Sequence, residues 1–518
     1  MPFKQAFVFL KLITVYFVAV DRPLASRADC DRIMPTRKNG SGGVNQDDYQ
    51  AQDATGLAAL IAARQVSAGE VLDAAIARME QVNPTLNAVI LDLTDQAKAQ
   101  LARETPAGPL GGVPWLIKDI GALVAGTPTT SGSRLQRDAV APADSAIVTQ
   151  YRKAGLVIFG KTNTPEFGLE PVTEPEFFGP TLNPWDLNRT PGGSSGGAGA
   201  AVAGGIVPAA HASDGGGSIR TPAACCGLFG MKPSRGRVSS APAGEGWGGA
   251  SVQHAVTRSV RDSALLLDVI CEPQPGDPYW MAQPATPYAD EVKRDPGKLR
   301  IGLIPAALDG TAIDAECAAA VADVARLCES LGHTVEEVAL PVNFDAVREA
   351  AGNVIAAAIA GSLDMIVAQR GRPIEPDEID IVTKAMASRG ARVTGPQYAV
   401  GMTVLHAAGR AVAGVYERFD VLLSSTLGSP PIPKGSLRGD PLDLGGYGPR
   451  LFAFMPNTQL FNVTGQPAMT VPLAWSAAGL PIGIQFAAAI GDEATLFRLA
   501  GQLEQARPWA GRRAPFNG

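Results

Sequence analysis

Between Pro191 and Ala224 the chain reads PGGSSGGAGAAVAGGIVPAAHASDGGGSIRTPAA. Glycine, serine and alanine dominate, and charge is nearly absent. Residues this small let backbone segments approach closely and turn in ways that a side chain forbids. By composition the stretch could be a flexible linker. A linker has no use, however, for Ile206 and Val207, nor for an isolated Asp214 and Arg220 among glycines. Two other readings are a cradle for phosphate and a backbone shaped around a reaction.

The phosphate reading fits poorly. A P-loop needs GxxxxGK[ST], and no lysine occurs from Pro191 to Ala224. The nearest dinucleotide fingerprint, starting at Gly197, ends in Val202 and lacks a clear acidic partner on a second strand. The reaction reading fits better. Ser218 follows Gly215, Gly216 and Gly217, and without Cβ atoms successive N–H groups can converge on one point. Such a nest beside a hydroxyl is what acyl transfer requires, a nucleophile next to a pocket for the oxyanion. The motif is not GxSxG, so a hydrolase elbow is not indicated.

A serine nucleophile needs a base. His211 is seven residues upstream, and seven extended residues span more than about 20 Å. A packed or capping role suits it better. Lysine can serve where burial lowers its pKa. Lys118 ends the apolar run VPWLIKD, a setting that would desolvate it.

The whole chain has 518 residues, 46% apolar and 18% charged, enough for a sizeable core. The net charge of −6 supplies no basic face for nucleic acid or an anionic membrane. Six cysteines lack any CxxC pairing and read as reduced, mostly apolar residues of an intracellular enzyme. Four histidines share no ligand spacing, so neither a metal nor another cofactor is expected.

Residues 1–47 read as a leader. Ala6 to Val20 is apolar but short for a membrane span, and suits either a signal peptide or a start codon placed too early, with Met34 the later start. A cytoplasmic location is the first expectation, export the second. Nowhere else is an apolar run long enough for a transmembrane helix.

From residue 48 to 518 a single domain is expected. Ser67 and Glu70 form a capping box for a helix that Asn83-Pro84 should stop. Strands are expected at NAVILDL, at the run ending in Lys118, and at AGLVIFGKTN. GGAGAAVAGG suits a helix packed close to a sheet, and GIVPAAHASD an extended segment before a tight GGGS turn. A second series begins near Arg300, with strands at RIGLIP, HTVEEVAL, DVLLSST, PAMTVPL and PIGIQFAA. Helices accompany them at 314–330, 344–369 and 395–417, with a closing one at DEATLFRLAGQLEQA. This alternation predicts an α/β fold with a central mixed, largely parallel sheet covered by helices on both faces.

Three motifs in this order, GVPWLIKD, NPWDLNRTPGGSSGG and DGGGSIRTPAA, resemble the amidase signature family. The resemblance runs from about Asp53 through the closing helix. It implies a Ser–cisSer–Lys set, with Ser218 as nucleophile, Ser194 after a cis peptide as the bridging serine, and Lys118 as base. It also implies an oxyanion hole from the N–H groups of Gly215, Gly216, Gly217 and Ser218. Thr190, Ser195, Asp214 and Arg220 are expected as supporting polar neighbours. One departure stands out: many members have Ile or Thr where this chain has Gly215, which should make the loop more pliable.

KTNTPEFGLEPVTEPEFFGPTLNPWDL and the C-terminal third are most similar to bacterial amidases of the 6-aminohexanoate-cyclic-dimer hydrolase type. The resemblance implies a pocket lined by Gly126 to Gly132, Glu174 to Phe178, and the segment GGYGPRLFAFMPNTQ. Its aromatics Phe177, Phe178, Tyr447 and Phe452 and few charges favour a small, largely apolar amide: linear, aryl, cyclic or carbamate. The expected partner is that small molecule, without nucleic acid or membrane, and a homodimer is an admissible assembly. Two alternatives are the glutamine-hydrolysing A subunit of a tRNA-dependent amidotransferase and a non-catalytic binding protein on the same scaffold.

Overall fold

A computed structural model describes residues 44–104, 106–439, 444–516 and 518. The leader expectation, apart from its last residues, lies outside them. The helix Gln46–Ala51 already crosses the expected boundary at residue 48, with Asn45 as its cap. From residue 44 onward the chain forms one compact unit.

Eleven strands form two sheets among the described residues. They are β1 (Val89–Asp92), β2 (Pro114–Lys118), β3 (Val157–Thr162), β4 (Ala209–Asp214), β5 (Phe229–Lys232), β6 (Val252–Thr257), β7 (Arg300–Leu303), β8 (Thr334–Glu337), β9 (Val421–Ser425), β10 (Ala468–Trp475) and β11 (Pro481–Ala488). The smaller sheet runs β1-β3-β2 and the larger β4-β6-β5-β10-β11-β9-β7-β8. The helices that matter below are α1 (Ala68–Leu86), α2 (Gly196–Ala203), α3 (Arg220–Cys226), α4 (Ala315–Ser330), α5 (Phe344–Arg370), α6 (Ile381–Gly390), α7 (Gly395–Val415), α8 (Leu444–Phe454), α9 (Gln459–Thr464) and α10 (Glu493–Ala506).

The α/β fold and its mixed sheet match expectation, but the larger sheet is not largely parallel. Only β9-β7 and β7-β8 pair parallel; the neighbours from β4 to β9 are all antiparallel. For β10 and β11 the cause is connection length. A parallel pair needs a crossover of a dozen or more residues, and only five residues separate β10 from β11. Strands β5 and β6 are short and carried no strong pattern in the sequence, yet they carry the antiparallel pairing toward β4.

Helix α1 has the expected capping box. It runs through Pro84 to Leu86, because Asn83 supplies its end: its Oδ1 accepts the N–H groups of Ala88 and Val89, both at 2.8 Å. Helix α2 consists of small residues and is buried on every side except at Ala203. That close packing brings the preceding residues Ser194 and Ser195 against β4.

Helix α5, 27 residues, is long and apolar enough to cross a membrane by length and composition, which sequence reading did not expect. Its apolar residues have partners within the fold. Val347, Ala350, Ala351 and Val354 pack with Leu405, Ala408 and Val412 of α7. Ile355, Ile359 and Leu363 pack with Leu135 and Phe167.

Candidate active site

Strand β2 is entirely buried and ends at Lys118, whose side chain has no exposure. The Lys118 side-chain nitrogen, Nζ, lies 2.7 Å from Ser194 Oγ and 3.0 Å from Ser213 Oγ. Burial lowers its pKa to about 7; Asp214 opposes the shift. Residues Gly193 and Ser194 are joined by a cis peptide, as the family resemblance implied. Ser195 holds the turn against β4, exchanging hydrogen bonds with the carbonyl (3.2 Å) and N–H (3.3 Å) of Ser213. Thr190 is buried and its Oγ1 accepts the N–H of Gly192 at 3.1 Å, shaping the approach to the same turn.

His211 takes the structural role. Its Nδ1 accepts the backbone N–H of Lys118 at 3.2 Å, and its Nε2 lies 3.2 Å from Gln253 Oε1. Burial and then Lys118 depress its pKa to about 3, so the ring stays neutral. It pins β2 to β4 rather than facing a serine.

At the end of β4, Asp214 and Arg220 form a buried ion pair with two contacts of 3.0 Å. Burial alone would raise the Asp214 pKa, but Arg220, with help from Lys232 and Asn462, holds it below the usual carboxylate range. Asp214 also accepts the N–H of Ile219 at 3.1 Å, closing the loop that contains Ser218. Arg220 reaches onward to the carbonyl of Thr458 and to Gln485, both at 2.9 Å, and to Asn462 Oδ1 at 2.6 Å. Asn462 Nδ2 donates to Asp214 Oδ1 at 2.7 Å and to the carbonyls of Asp214 and Ala250.

The turn between them is held tightly. Gly217 has φ +141°, and a Cβ there would collide with Thr458, whose hydroxyl donates to the carbonyl of Gly216 at 2.6 Å. The N–H groups of Gly215, Gly216, Gly217 and Ser218 donate to no other group among the described residues. Gly215 was expected to loosen the loop. Instead its missing side chain makes room for Trp247: a Cβ would lie 2.7 Å from ring atoms Cε3 and Cζ3. Trp247 itself has φ +55°. Asn462 therefore ties the loop carrying Trp247, through Ala250, to the loop carrying Ser218.

A cavity of about 360 Å³ opens onto Gly193, Gly216 and Ser218. Of the expected lining, Tyr447 and Phe452 are present together with Leu451, Met455 and Gln459. Gly126 to Gly132 and Glu174 to Phe178 are not. The first segment instead encloses a buried Lys161–Asp119 pair: Lys161 Nζ donates to Pro128 O (2.5 Å) and Thr129 Oγ1 (2.7 Å), and Asp119 accepts from Thr130. Phe177 and Phe178 pack on each other with ring centres 4.2 Å apart. The walls missed by sequence reading come from Gly168 to Pro171, from Trp247, from α5 (Arg348, Gly352, Ile355) and from α6 (Val382, Met386, Arg389). Two of these residues, Arg348 and Arg389, are ionisable in addition to Glu170, which makes the wall more polar than expected at a few points. Among the described residues no three His, Cys, Asp or Glu side chains gather as a metal-ligand set.

Known proteins resemble this chain over most of its length. The family profile "Amidase" matches residues 70–497. The chain is 39% identical over 490 residues to 6-aminohexanoate-cyclic-dimer hydrolase of Pseudomonas sp. (strain NK87), covering 89% of this chain and 96% of that protein. The solved structure of 6-aminohexanoate cyclic dimer hydrolase complexed with substrate superposes with a TM-score of 0.85 at 36% identity, over 90% of this chain and all of that one. A bacterial aryl acylamidase of the amidase signature family superposes with a TM-score of 0.80 at 29% identity, over 89% of this chain and 99% of that one. The chain belongs to the amidase family and is a hydrolase of amide carbon–nitrogen bonds.

Proposed function

We propose that this amidase cleaves a small, largely apolar carboxamide through an acyl-enzyme on Ser218. The observation that carries the reading is a wholly buried lysine amine 2.7 Å from Ser194 Oγ, beside a serine-bearing turn with free N–H groups. With its pKa lowered to about 7, Lys118 is substantially neutral at physiological pH and has a lone pair to offer. It takes the Ser194 hydroxyl proton as Ser194 takes that of Ser218. The Ser218 oxygen then bonds to the amide carbon. The developing oxyanion is met by the N–H groups of Gly216, Gly217 and Ser218, preorganised by Thr458 and Gly217. As the C–N bond breaks, the proton returns along the same path to the leaving nitrogen, which would otherwise depart poorly. Water, deprotonated by the same relay, attacks the ester; the carboxylic acid leaves and Ser218 regains its proton.

Ser213 holds the lysine by its second contact, and Asp214 with Arg220 holds the turn. The cavity wall of Leu169, Ile355, Leu451 and Phe452 suits an apolar acyl or amine portion. The similarity to hydrolases of a cyclic amide and of aryl amides supports the same substrate range.

The test is a panel of linear amides, anilides, carbamates, cyclic lactams and glutamine, run with wild-type protein and Ser218→Ala. Turnover of apolar amides by wild type alone supports the reading. Glutamine turnover alone would favour an amidotransferase subunit, and no turnover with no labelling by a fluorophosphonate would favour a binding protein.

A further inference from the structure

Arg389 is the charged group of the cavity that neither the catalytic set nor an ion pair explains. It stands near the end of α6 and lines the same cavity as Ser218. Its guanidinium is seated, not trailing in solvent. Nε and Nη2 donate to Asn353 Oδ1 at 3.2 and 2.8 Å, and Nη2 to the carbonyl of Glu349 at 3.4 Å. A Cβ at Gly352 would lie 2.8 Å from both Nη1 and Nη2. The fork therefore rests on α5 at a helix-interior glycine, a residue that costs a helix stability.

No carboxylate lies within ion-pair distance of Arg389 among the described residues. Arg348, the other arginine on this wall, differs: it pairs with Asp309 and Asp345 and stacks over Phe452 at 5.0 Å. The carboxyl group that also lines the cavity, Glu170, accepts a hydrogen bond from Tyr447 at 3.3 Å. Burial and then Asp380 raise its pKa to about 8, so near neutral pH it is mostly uncharged and neither pairs with Arg389 nor repels an anion. With Nε and Nη2 given to Asn353 and Glu349, the two N–H groups of Nη1 donate to nothing among the described residues, and such a cationic donor without a counter-ion on an apolar wall matches a carboxylate.

We propose that the cavity takes amides bearing a free carboxylate away from the scissile bond, and that Arg389 binds that carboxylate. The inference rests on Ser218 as the reacting group and adds the substrate class. The carboxylate belongs either to the acyl part, as in a monoamide of a linear dicarboxylic acid, or to the amine part, as in an N-acylated ω-amino acid.

The experiment measures kcat/KM for monoanilides of four- to eight-carbon dicarboxylic acids against alkyl anilides of equal length. A second series compares N-hexanoyl ω-amino acids with N-hexanoyl alkylamines. At least one acid should be preferred by roughly 10- to 100-fold, the effect of one charged hydrogen-bond partner. Arg389→Met should collapse the acid-to-neutral ratio toward one, and Arg389→Lys should keep part of it. Because Arg389 also ties α6 to α5, a measurement on wild type runs alongside: free adipate should compete with alkyl-anilide hydrolysis, and 1,6-hexanediol should not. A ratio near one in both series, a preference that survives Arg389→Met, or equal inhibition by adipate and the diol would overturn the carboxylate site alone. No turnover of any amide, charged or neutral, would overturn the amidase reading and this inference with it.

Discussion

The two sides of the cavity are built on different principles. On the Ser218 side, Lys118, Asp214 and Arg220 have no solvent exposure, and one hydrogen-bonded network joins Asp214, Arg220, Thr458, Asn462 and Gln485. On the other side, α5, α6 and α8 present mostly apolar side chains, several only partly buried, such as Met386, Leu451 and Phe452. A buried polar network tolerates little change, because each lost partner leaves a desolvated group behind. An apolar wall tolerates exchange of similar volumes. On the proposed mechanism the chemistry falls on the polar, networked side and substrate selection on the adaptable one.

The comparison breaks most sharply at Ser218. Ser218→Ala should lower kcat by roughly 10⁴- to 10⁶-fold, the range for losing one member of a catalytic serine set, with an unchanged melting curve. Lys118→Arg should lower it by roughly 10²- to 10⁴-fold, the share of a general base, since arginine keeps its proton. The pH dependence follows from the sign of the Lys118 shift. Below about 7 the amine is protonated and has no lone pair, so kcat/KM should fall tenfold per pH unit; above 7 it should be level. A profile that is flat from pH 5 to 9 would remove Lys118 as the base.

Next in size is the ion pair. Arg220→Met leaves Asp214 buried and uncompensated and should cost about 3–5 kcal/mol in denaturant unfolding. Gly215→Ala should cost about 1–3 kcal/mol through overpacking against Trp247. On a Trp247→Ala background Gly215→Ala should cost much less, and a strictly additive double variant would mean the two do not touch. Smallest is Met386→Leu on the adaptable side, a volume-conserving change worth less than about 1.5 kcal/mol. It should shift KM between substrates by under tenfold and leave stability alone.

The polar side was largely legible in the sequence. Lys118 at a strand end, the glycines before Ser218, and Asp214 and Arg220 isolated among small residues each break a local pattern, and each break marks a role. The partners Thr458, Asn462 and Gln485 were not read, since they stand about 240 to 270 positions away. Gln485 did leave a trace, one polar residue inside the apolar strand PIGIQFAA, where a buried amide demands a partner. Trp247 between glycines in GEGWGGA was a similar trace. The apolar wall left no such mark. Arg348, Gly352 and Ile355 sit in a stretch that read only as an alanine-rich helix, and Met386 and Arg389 in one to which no element was assigned; only their packing brings them to Ser218. Strand direction was misread for the same reason, because pairing order is a long-range property that alternation of elements does not encode.

The central claim is that the amide's acyl group passes through Ser218. Rapid quenching during turnover of an anilide, followed by intact-mass and peptide mass spectrometry, tests it directly. The account predicts a transient mass increase equal to the acyl group, mapped to the peptide carrying Ser218. It also predicts aniline release in a burst when deacylation is the slower step, and that adding hydroxylamine diverts the product to the hydroxamate. Steady turnover with no adduct under any quench time, and no hydroxamate at high hydroxylamine, would mean that water attacks the amide directly and would contradict the account.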